Sequence, residues 1–408
     1  MPCRDLSRRG FLALGAAIPL VSTRALAGEA TTFSNATLVL EDGSTARGGI
    51  RFRDGIIEAV GPKVVGGTDL DGHWLVPGLT DAGCRLGLLE VGMERDTHDS
   101  SAKENQALDA RVVDGYNPRS DLIPVARVNG ITQAVVNPEA SGMIPGQAAL
   151  LRTSGDRLGD VVLKAPVGLC MNLGRAGQGH DGPKSRIALM SAWRKFFEEH
   201  PESKGKASKK KDDKKEEDRI IDDLRSGKLL AMVRAHRADD IERAIALIKD
   251  NALNAVLVGC IEGHLLADVI AAEELPVLLG PLDAQPSSFQ NPHAIYENAA
   301  ILNEAGVKLA FRTGDAHNVR NLPTLAGLAV AHGLPHDAAM RALTSSPMDI
   351  FGMPKLGRLT VGSEATFFVV EGDPLQPKYP VSSVYIRGQV TDMQTRQTRL
   401  YEEFRELW

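Results

Sequence analysis

Ten polar side chains stand at or just beyond the ends of apolar, strand-like runs, where α/β chains commonly place their chemistry. Histidine, aspartate and glutamate at such places could transfer protons, and arginine could bind a carboxylate or phosphate through two parallel hydrogen bonds. Because four of the ten are arginines, an anion-binding pocket is one prediction. The ten are Asp81, Arg85, Gln147, His236, Arg237, Glu262, Arg312, Asp315, His317 and Arg320.

Most of these side chains also have a purely structural interpretation. Arg237 and Arg320 could form ordinary salt bridges at a helix start or in a loop, and His236 could be a hydrogen-bonded core histidine. His317 lies in the loop TGDAHN, where a general base and a surface histidine are both reasonable. Arg85 could simply fill the space left by a missing metal, paired with Asp315 or Asp81, because an inward-facing charge needs a partner.

Eight apolar runs alternate with helical patterns and predict the elements that would hold these side chains. Eight strands over roughly 280 residues are typical of a (β/α)8 barrel, whose chemistry lies at the C-terminal ends of its strands. A doubly wound open sheet is the alternative, although no GxGxxG follows the first strand to suggest dinucleotide binding. The runs are Trp74–Val76, Ile131–Val136, Ala148–Leu151, Val161–Leu169, Leu229–Val233, Ala255–Val258, Leu275–Leu279 and Val307–Phe311.

The two ends of the chain share a different texture of short alternating strands and Gly-rich turns. Each end offers too few strands to be stable alone. We therefore expect residues 28–75 and 356–395 to form one small β domain, with the barrel in residues 76–355 and a tail in 396–408.

Residues 1–27 have the pattern of an export signal. Arg8 and Arg9 precede an apolar run from Phe11 to Val21, and Ala25-Leu26-Ala27 follows as a small-x-small cleavage site. Paired arginines before a modest apolar segment resemble a twin-arginine signal. The run is shorter than the roughly 20 residues that span a bilayer, so we expect a periplasmic protein without a permanent membrane anchor.

Composition excludes some partners. The net charge is −5 and aromatic residues make up 5%, which disfavours binding to nucleic acid or to anionic membranes. After removal of the signal, Cys84, Cys170 and Cys260 remain. Their wide spacing and apolar surroundings predict buried free thiols rather than a disulfide framework or a zinc-binding cluster.

One segment fits neither pattern. Residues 198–219 contain 8 acidic and 8 basic residues and almost nothing apolar. Their balanced charge argues against a polybasic anchor, and we expect a solvated insertion.

Several segments together resemble the imidazolonepropionase-like branch of the amidohydrolase superfamily. The first, HWLVPGLTDAGCRLGL, is similar to a family stretch of the form VPGLIDxHxHLGL. The resemblance covers nearly the whole chain after the signal and implies an α/β fold, a (β/α)8 TIM-type barrel with a small β domain built from both chain ends. The segments are His73–Leu88, Gly130–Thr153, Val233–Ile241, Ala255–His264, Val307–Pro335 and Ala342–Leu375.

The resemblance also implies a metal centre, because this family activates water with one or two divalent metals at the barrel mouth. The His-x-His pair that ends the first strand falls here on Gly83 and Arg85. Glycine has no ligand atom, and a permanently protonated guanidinium would repel a dication. Cys84, between them, should point away from the lumen.

The other ligand positions implied by the resemblance are only partly kept. The strand-5 histidine is retained as His236, whereas the strand-6 histidine falls on Gly259. The strand-8 aspartate position is Gly314, and Asp315 follows one place late. Lys164 could supply a strand-4 bridging group if it were carboxylated. Gly83, Arg85 and Gly259 are therefore predicted lost ligand positions.

Three hypotheses follow. In the first, the chain keeps the barrel without metal chemistry, has no cofactor, and either binds a small molecule in the former active-site pocket or pairs with an intact amidohydrolase relative, as a homo- or hetero-oligomer. In the second, it hydrolyses C–N bonds of a cyclic amide, amino-acid amide or dipeptide, with Asp315 catalytic and one divalent metal such as zinc on His236 and Asp315. In the third, the barrel mouth is filled and the role is structural.

Overall fold

The computed structural model describes residues 28–102, 104–179, 181–201, 215–283, 285–286 and 289–405. The predicted export signal, residues 1–27, and the centre of the charged segment, residues 202–214, lie outside the described residues.

The first sheet begins with five strands at the start of the chain. Strand β1 pairs antiparallel with β2, which pairs antiparallel with β3, while β4 and β5 run parallel to β1. Alternating burial along β1 and β2 turns Phe33 and Phe52 into one apolar face. The strands are β1 (Thr31–Val39), β2 (Thr45–Arg53), β3 (Ile56–Gly61), β4 (Thr68–Asp69) and β5 (Trp74–Pro77).

The second sheet contains the next eight strands, each hydrogen-bonded to its neighbour in chain order. The ends of the sheet approach each other, since the Gly314 N–H donates to the Gly83 carbonyl (2.8 Å) and the Arg85 N–H to the Asp315 carbonyl (3.0 Å). The sheet is thus a nearly closed barrel, and the predicted fold class is confirmed. Its strands are β6 (Leu79–Cys84), β7 (Ile131–Val136), β8 (Gly146–Arg152), β9 (Val162–Asn172), β10 (Ala231–Ala235), β11 (Ala255–Gly259), β12 (Val277–Leu279) and β13 (Leu309–Phe311).

Two features of the barrel differ from the sequence expectation. The run Trp74–Val76 belongs to β5 in the first sheet, and the chain enters the barrel only after Pro77, because one unbroken apolar stretch serves both sheets. Strand β8 runs antiparallel to both β7 and β9, with no helix between β7 and β8. The remaining barrel strands pair in parallel.

Helices cover the outside of the barrel. The longest, α4 and α6, bury Trp193 and Ile241 against its outer face. The ends of the charged segment are helical, since α4 continues to Glu199 and α5 begins at Glu216. The helices are α1 (Val112–Gly115), α2 (Leu122–Arg127), α3 (Leu158–Val161), α4 (Arg186–Glu199), α5 (Glu216–Arg225), α6 (Ala238–Asp250), α7 (Ala267–Ala272), α8 (Asn298–Glu304), α9 (Leu322–Ala331), α10 (His336–Leu343), α11 (Ser345–Ile350) and α12 (Arg396–Phe404).

The end of the chain completes the first sheet. Strand β14 (Phe367–Val370) pairs antiparallel with β5 and with β15 (Val381–Ile386), and β16 (Gln389–Val390) pairs with β15. Phe367 and Tyr385 stack with ring centroids 4.9 Å apart. The sheet is therefore built from both chain ends, as predicted.

The barrel lumen is apolar except at its mouth. Inward-facing side chains form one buried cluster, which α11 and the residues after it close at the end opposite the mouth. Cys84, Cys170 and Cys260 are buried free thiols, as predicted. Within the described part of the chain, no helix combines the length and apolarity needed to cross a membrane. Residues of the lumen cluster include Ala82, Val135, Leu150, Met232, Val258, Ala310, Met348 and Phe351.

Candidate functional site in the barrel mouth

Strand alternation turns three charged or titratable side chains into the upper lumen. Met232 on β10 belongs to the lumen cluster, so Arg234 and His236, two and four residues later, face the same way. Ala310 on β13 faces inward as well, which places Arg312 above it. These positions are at the C-terminal ends of parallel strands, where barrel enzymes keep their active sites.

Arg312 occupies the space beside two predicted ligand positions. Its side chain is almost fully buried, and a Cβ atom at Gly83 would lie 2.6 Å from its Nε. A Cβ atom at Gly314 would lie 3.2 Å from one terminal guanidinium nitrogen. The other terminal nitrogen reaches the Gly280 carbonyl at 3.4 Å, and Nε has no partner among the described residues. The absent ligand side chains therefore leave room for a guanidinium.

His236 fills the third position in the same way. A Cβ atom at Gly259 would lie 2.5 Å from the His236 Nδ1, so the imidazole rests against the glycine backbone. Burial, followed by the charges of Arg234 and Arg312, lowers the pKa of His236 to about 3. The ring is neutral at physiological pH, and its buried Nδ1 has no hydrogen-bond partner in the described chain.

Arg234 is a site residue that the sequence analysis missed. Burial lowers the pKa of Arg234 to about 9, with further contributions in the same direction from the charges of Arg312 and Arg85. Among the described residues its side chain makes neither an ion pair nor a hydrogen bond. The signal was present in the sequence, since Arg234 precedes His236 by two residues on one strand and must share its face.

Asp81 is a fully buried carboxylate at the edge of this cluster. It accepts hydrogen bonds from the N–H groups of Gly83 (2.9 Å) and Thr313 (3.2 Å) and from the Thr313 hydroxyl. Burial raises the pKa of Asp81, although these hydrogen bonds and the charge of Arg312 oppose the rise. The carboxylate thus fastens β6 to the end of β13.

Asp315 uses its carboxylate within its own loop. It accepts from the N–H groups of Ala316 (2.5 Å) and His317 (3.0 Å) and from the Asn318 amide (2.9 Å). Burial opposes ionisation of Asp315, but the hydrogen bonds from His317 and Ala316 outweigh it and lower its pKa. The His317 ring lies 2.8 Å from the Glu90 carbonyl through Nε2, which holds it against a neighbouring loop.

Arg85 is half-buried beside Asp315 and belongs to the mouth cluster. Its charge lowers the pKa of Arg234, Arg312 and Asp315, so it lies within electrostatic range of all three. No ion pair or hydrogen bond of its side chain occurs in the described part of the chain. We call Arg85, Arg234 and Arg312 the mouth arginines.

The remaining predicted residues lie outside the lumen. Gln147 faces outward from β8 and donates to the Leu108 carbonyl (2.8 Å), because Ala148 and Leu150 take the inward positions of that strand.

The other predicted residues have partners or solvent outside the lumen. Arg237 pairs with Asp239 on the surface. Glu262 accepts from the N–H groups of Ala238 and His293, both at 2.9 Å, and so caps the start of α6. Arg320 is exposed. Lys164 lies near the start of β9 and donates to the Phe351 carbonyl (2.9 Å), away from the mouth.

A catalytic zinc site needs about three protein ligands and an open position, and these residues do not supply them. The described residues contain no group of three histidine, cysteine, aspartate or glutamate side chains that could hold a metal ion. The spaces beside Gly83, Gly259 and Gly314 are filled by Arg312 and His236. The mouth therefore does not fit the metal that its resemblance implies.

Solved structures share this architecture. An amidohydrolase from Thermotoga maritima MSB8 is 24% identical, with 89% of this chain and 100% of that chain covered and a TM-score of 0.82. A D-hydantoinase from Thermus sp. is 11% identical over 90% of this chain and 96% of that chain (TM-score 0.55), and a Xaa-Pro dipeptidase with bound methionine in its active site is 14% identical over 89% and 100% (TM-score 0.51). The chain has the amidohydrolase fold.

At these identities the similarity establishes the fold of the chain, and the resemblance seen in the sequence is confirmed at that level. The chain matches no protein-family model, and no curated protein matches it significantly.

Proposed function

We propose that this amidohydrolase-fold chain is exported to the periplasm, lacks metal-dependent hydrolysis, and binds a small molecule at its barrel mouth. The supporting observation is the occupation of the predicted ligand positions. Arg312 fills the space beside Gly83 and Gly314, and His236 fills the space beside Gly259.

Electrostatics support the same proposal. A divalent metal beside His236 would stand near Arg234 and Arg312, whose charges already lower the pKa of that histidine. Two unit charges of one sign repel by about 4 kcal/mol at 4 Å in the effective dielectric near a protein surface. Only carboxylate ligands would offset such repulsion, and Asp81 and Asp315 are each hydrogen-bonded to backbone N–H groups.

One observation favours the alternative, a reduced-site hydrolase of C–N bonds with one metal on His236 and Asp315. Metal ligation requires a neutral imidazole, and the pKa of about 3 keeps His236 neutral. The unpartnered Nδ1 would be available to a metal.

Metal analysis distinguishes the two proposals. We expect the chain, purified without chelator, to carry well under one equivalent of zinc, iron or manganese, and added zinc to leave its melting temperature nearly unchanged. A site that binds only the folded chain would stabilise it by about 2.7 kcal/mol at a hundredfold excess over Kd, which a melting curve resolves.

The matched variants are His236→Ala and His98→Ala, the latter at an exposed histidine. Stoichiometric metal that is lost in His236→Ala and retained in His98→Ala would replace the proposal with the reduced-site hydrolase.

A further inference from the structure

A small cavity lies under the loop that covers the barrel mouth. It is lined by Asn137, Cys170, Asn172, Met232, Arg234 and Val258, and its volume of about 10 Å³ is near the minimum for one water molecule. Residues 138–145, which connect β7 to β8, close it from above through two prolines and an alanine. Whatever binds here is therefore small.

The cavity presents polar groups that lack protein partners. Arg234 lines it without an ion pair or hydrogen bond in the described chain. Asn137 is buried, and its side-chain Oδ1 has no partner among the described residues. Turning that amide over exchanges oxygen for nitrogen, so Asn137 can offer an N–H donor. Native proteins leave few buried polar groups unsatisfied, and each exception requires an explanation.

The local charge is positive. The mouth arginines Arg85, Arg234 and Arg312 lie within electrostatic range of one another, and the buried carboxylate near them, Asp81, is already hydrogen-bonded to Thr313 and Gly83. Arg234 is half-buried, and a partly desolvated charge without a partner is unfavourable, so a bound anion would reduce that penalty.

We propose that this cavity binds one small anion, of the size of chloride or of a single carboxylate group, held by Arg234 and Asn137. Arg85 and Arg312 contribute attraction without direct contact. The inference rests on the proposed function, because it takes the barrel mouth to be free of a metal centre. Phosphate and sulfate are too large for the cavity unless the covering loop moves.

Calorimetric titration in a buffer free of chloride and of carboxylates tests the proposal. Chloride and formate should each bind with a stoichiometry of one, whereas phosphate should not bind at the same concentration. Chloride binding alone would assign the site to a halide, and formate binding alone to the carboxylate of an organic acid; both outcomes support a small-anion site. Binding of phosphate alone, or of none of the three, would overturn it.

Arg234→Met should weaken the binding about tenfold or more, as expected for loss of a charge-assisted hydrogen bond. Arg320→Met, at an exposed arginine, is the matched control and should leave binding unchanged. Equal losses in both variants would show a nonspecific charge effect and overturn the site.

Crystals of the unaltered chain soaked in bromide give a test that does not depend on the variant folding. An anomalous peak beside Arg234 supports the site, and the absence of that peak together with the absence of formate binding in the titration overturns it. Absence of both anion and metal would refute this inference alone and leave the proposed function standing, whereas a stoichiometric metal would refute the proposed function.

Discussion

Buried or half-buried arginines occur at both ends of the barrel, but their surroundings differ. At the junction with the β domain, opposite the mouth, Arg152 at the end of β8 donates through two nitrogens to Glu364. Arg358 in the same junction pairs with Asp349 (2.8 Å) and Glu41 (3.0 Å). None of the mouth arginines has an ion pair among the described residues.

The difference shows that this fold can supply a carboxylate to a buried arginine at the junction with the β domain, where the pair has a structural role. Unpaired charge is therefore not an unavoidable result of burying arginine in this chain. Groups that are left unsatisfied or electrostatically perturbed concentrate at functional sites, because the partner they lack is the ligand. The mouth is thus the end of the barrel where function is expected.

The largest expected effect comes from breaking a junction pair. Glu364→Leu leaves the guanidinium of Arg152 buried without its carboxylate, and the two side chains are only 9% and 17% exposed. We expect the free energy of unfolding to fall by about 3–5 kcal/mol, measured by urea denaturation.

The matched control is Asp114→Leu, which breaks the pair between Arg111 and Asp114, whose side chains are 51% and 59% exposed. It should change stability by less than about 1 kcal/mol. Similar losses in both variants would contradict the distinction between buried and exposed pairs.

A smaller effect is expected from restoring a ligand position at the mouth. Gly83→His places a Cβ atom 2.6 Å from the Arg312 Nε, so the side chains must shift. We expect a loss of about 1–3 kcal/mol, typical of overpacking. Gly159→His is the control, because a Cβ atom there meets nothing within 4 Å.

Adding Arg312→Ala to Gly83→His should recover part of that loss, and a double-mutant cycle measures the coupling. Strict additivity would show that Arg312 does not fill the ligand position. The same cycle bears on engineering, since a metal centre could be rebuilt here only if Arg312 is removed as well.

Much of the fold could be predicted from the sequence, because long apolar runs report buried strands directly. Seven of the eight predicted runs overlap barrel strands. The eighth, Trp74–Val76, continues into β6 through Pro77 and Gly78, and hydrophobicity alone does not say which of two sheets an apolar stretch joins.

The site was harder to predict, because it depends on strand direction and on what fills an empty position. The prediction that Gln147 lies in the mouth is wrong because alternation along β8 gives the inward positions to Ala148 and Leu150 and turns Gln147 outward. The glycines at 83, 259 and 314 indicated missing ligands. Only the packing of Arg312 and His236 shows that other side chains have taken their space.

The smallest expected effect has the opposite sign to the others. Arg234→Met replaces an unpaired, half-buried guanidinium with an apolar side chain beside Met232 and Val258. In a buffer without small anions, we expect the variant to be more stable than the parent chain by about 1–2 kcal/mol. The substitution removes an unpaired charge, and it leaves no carboxylate without its partner. The folded-state pKa of Arg234 lies below its ordinary value, at about 9, so its protonation disfavours folding. The stability penalty is full below that pKa and shrinks as pH rises through it, and the stability advantage of the variant should shrink with it.

Chloride should narrow the stability difference between the variant and the parent at neutral pH, because it stabilises only the parent. The control Arg320→Met should stay within about 0.5 kcal/mol of the stability of the parent throughout. A variant that is less stable than the parent in anion-free buffer would mean that Arg234 already has a partner within the protein, and the contrast between the two ends of the barrel would then fail.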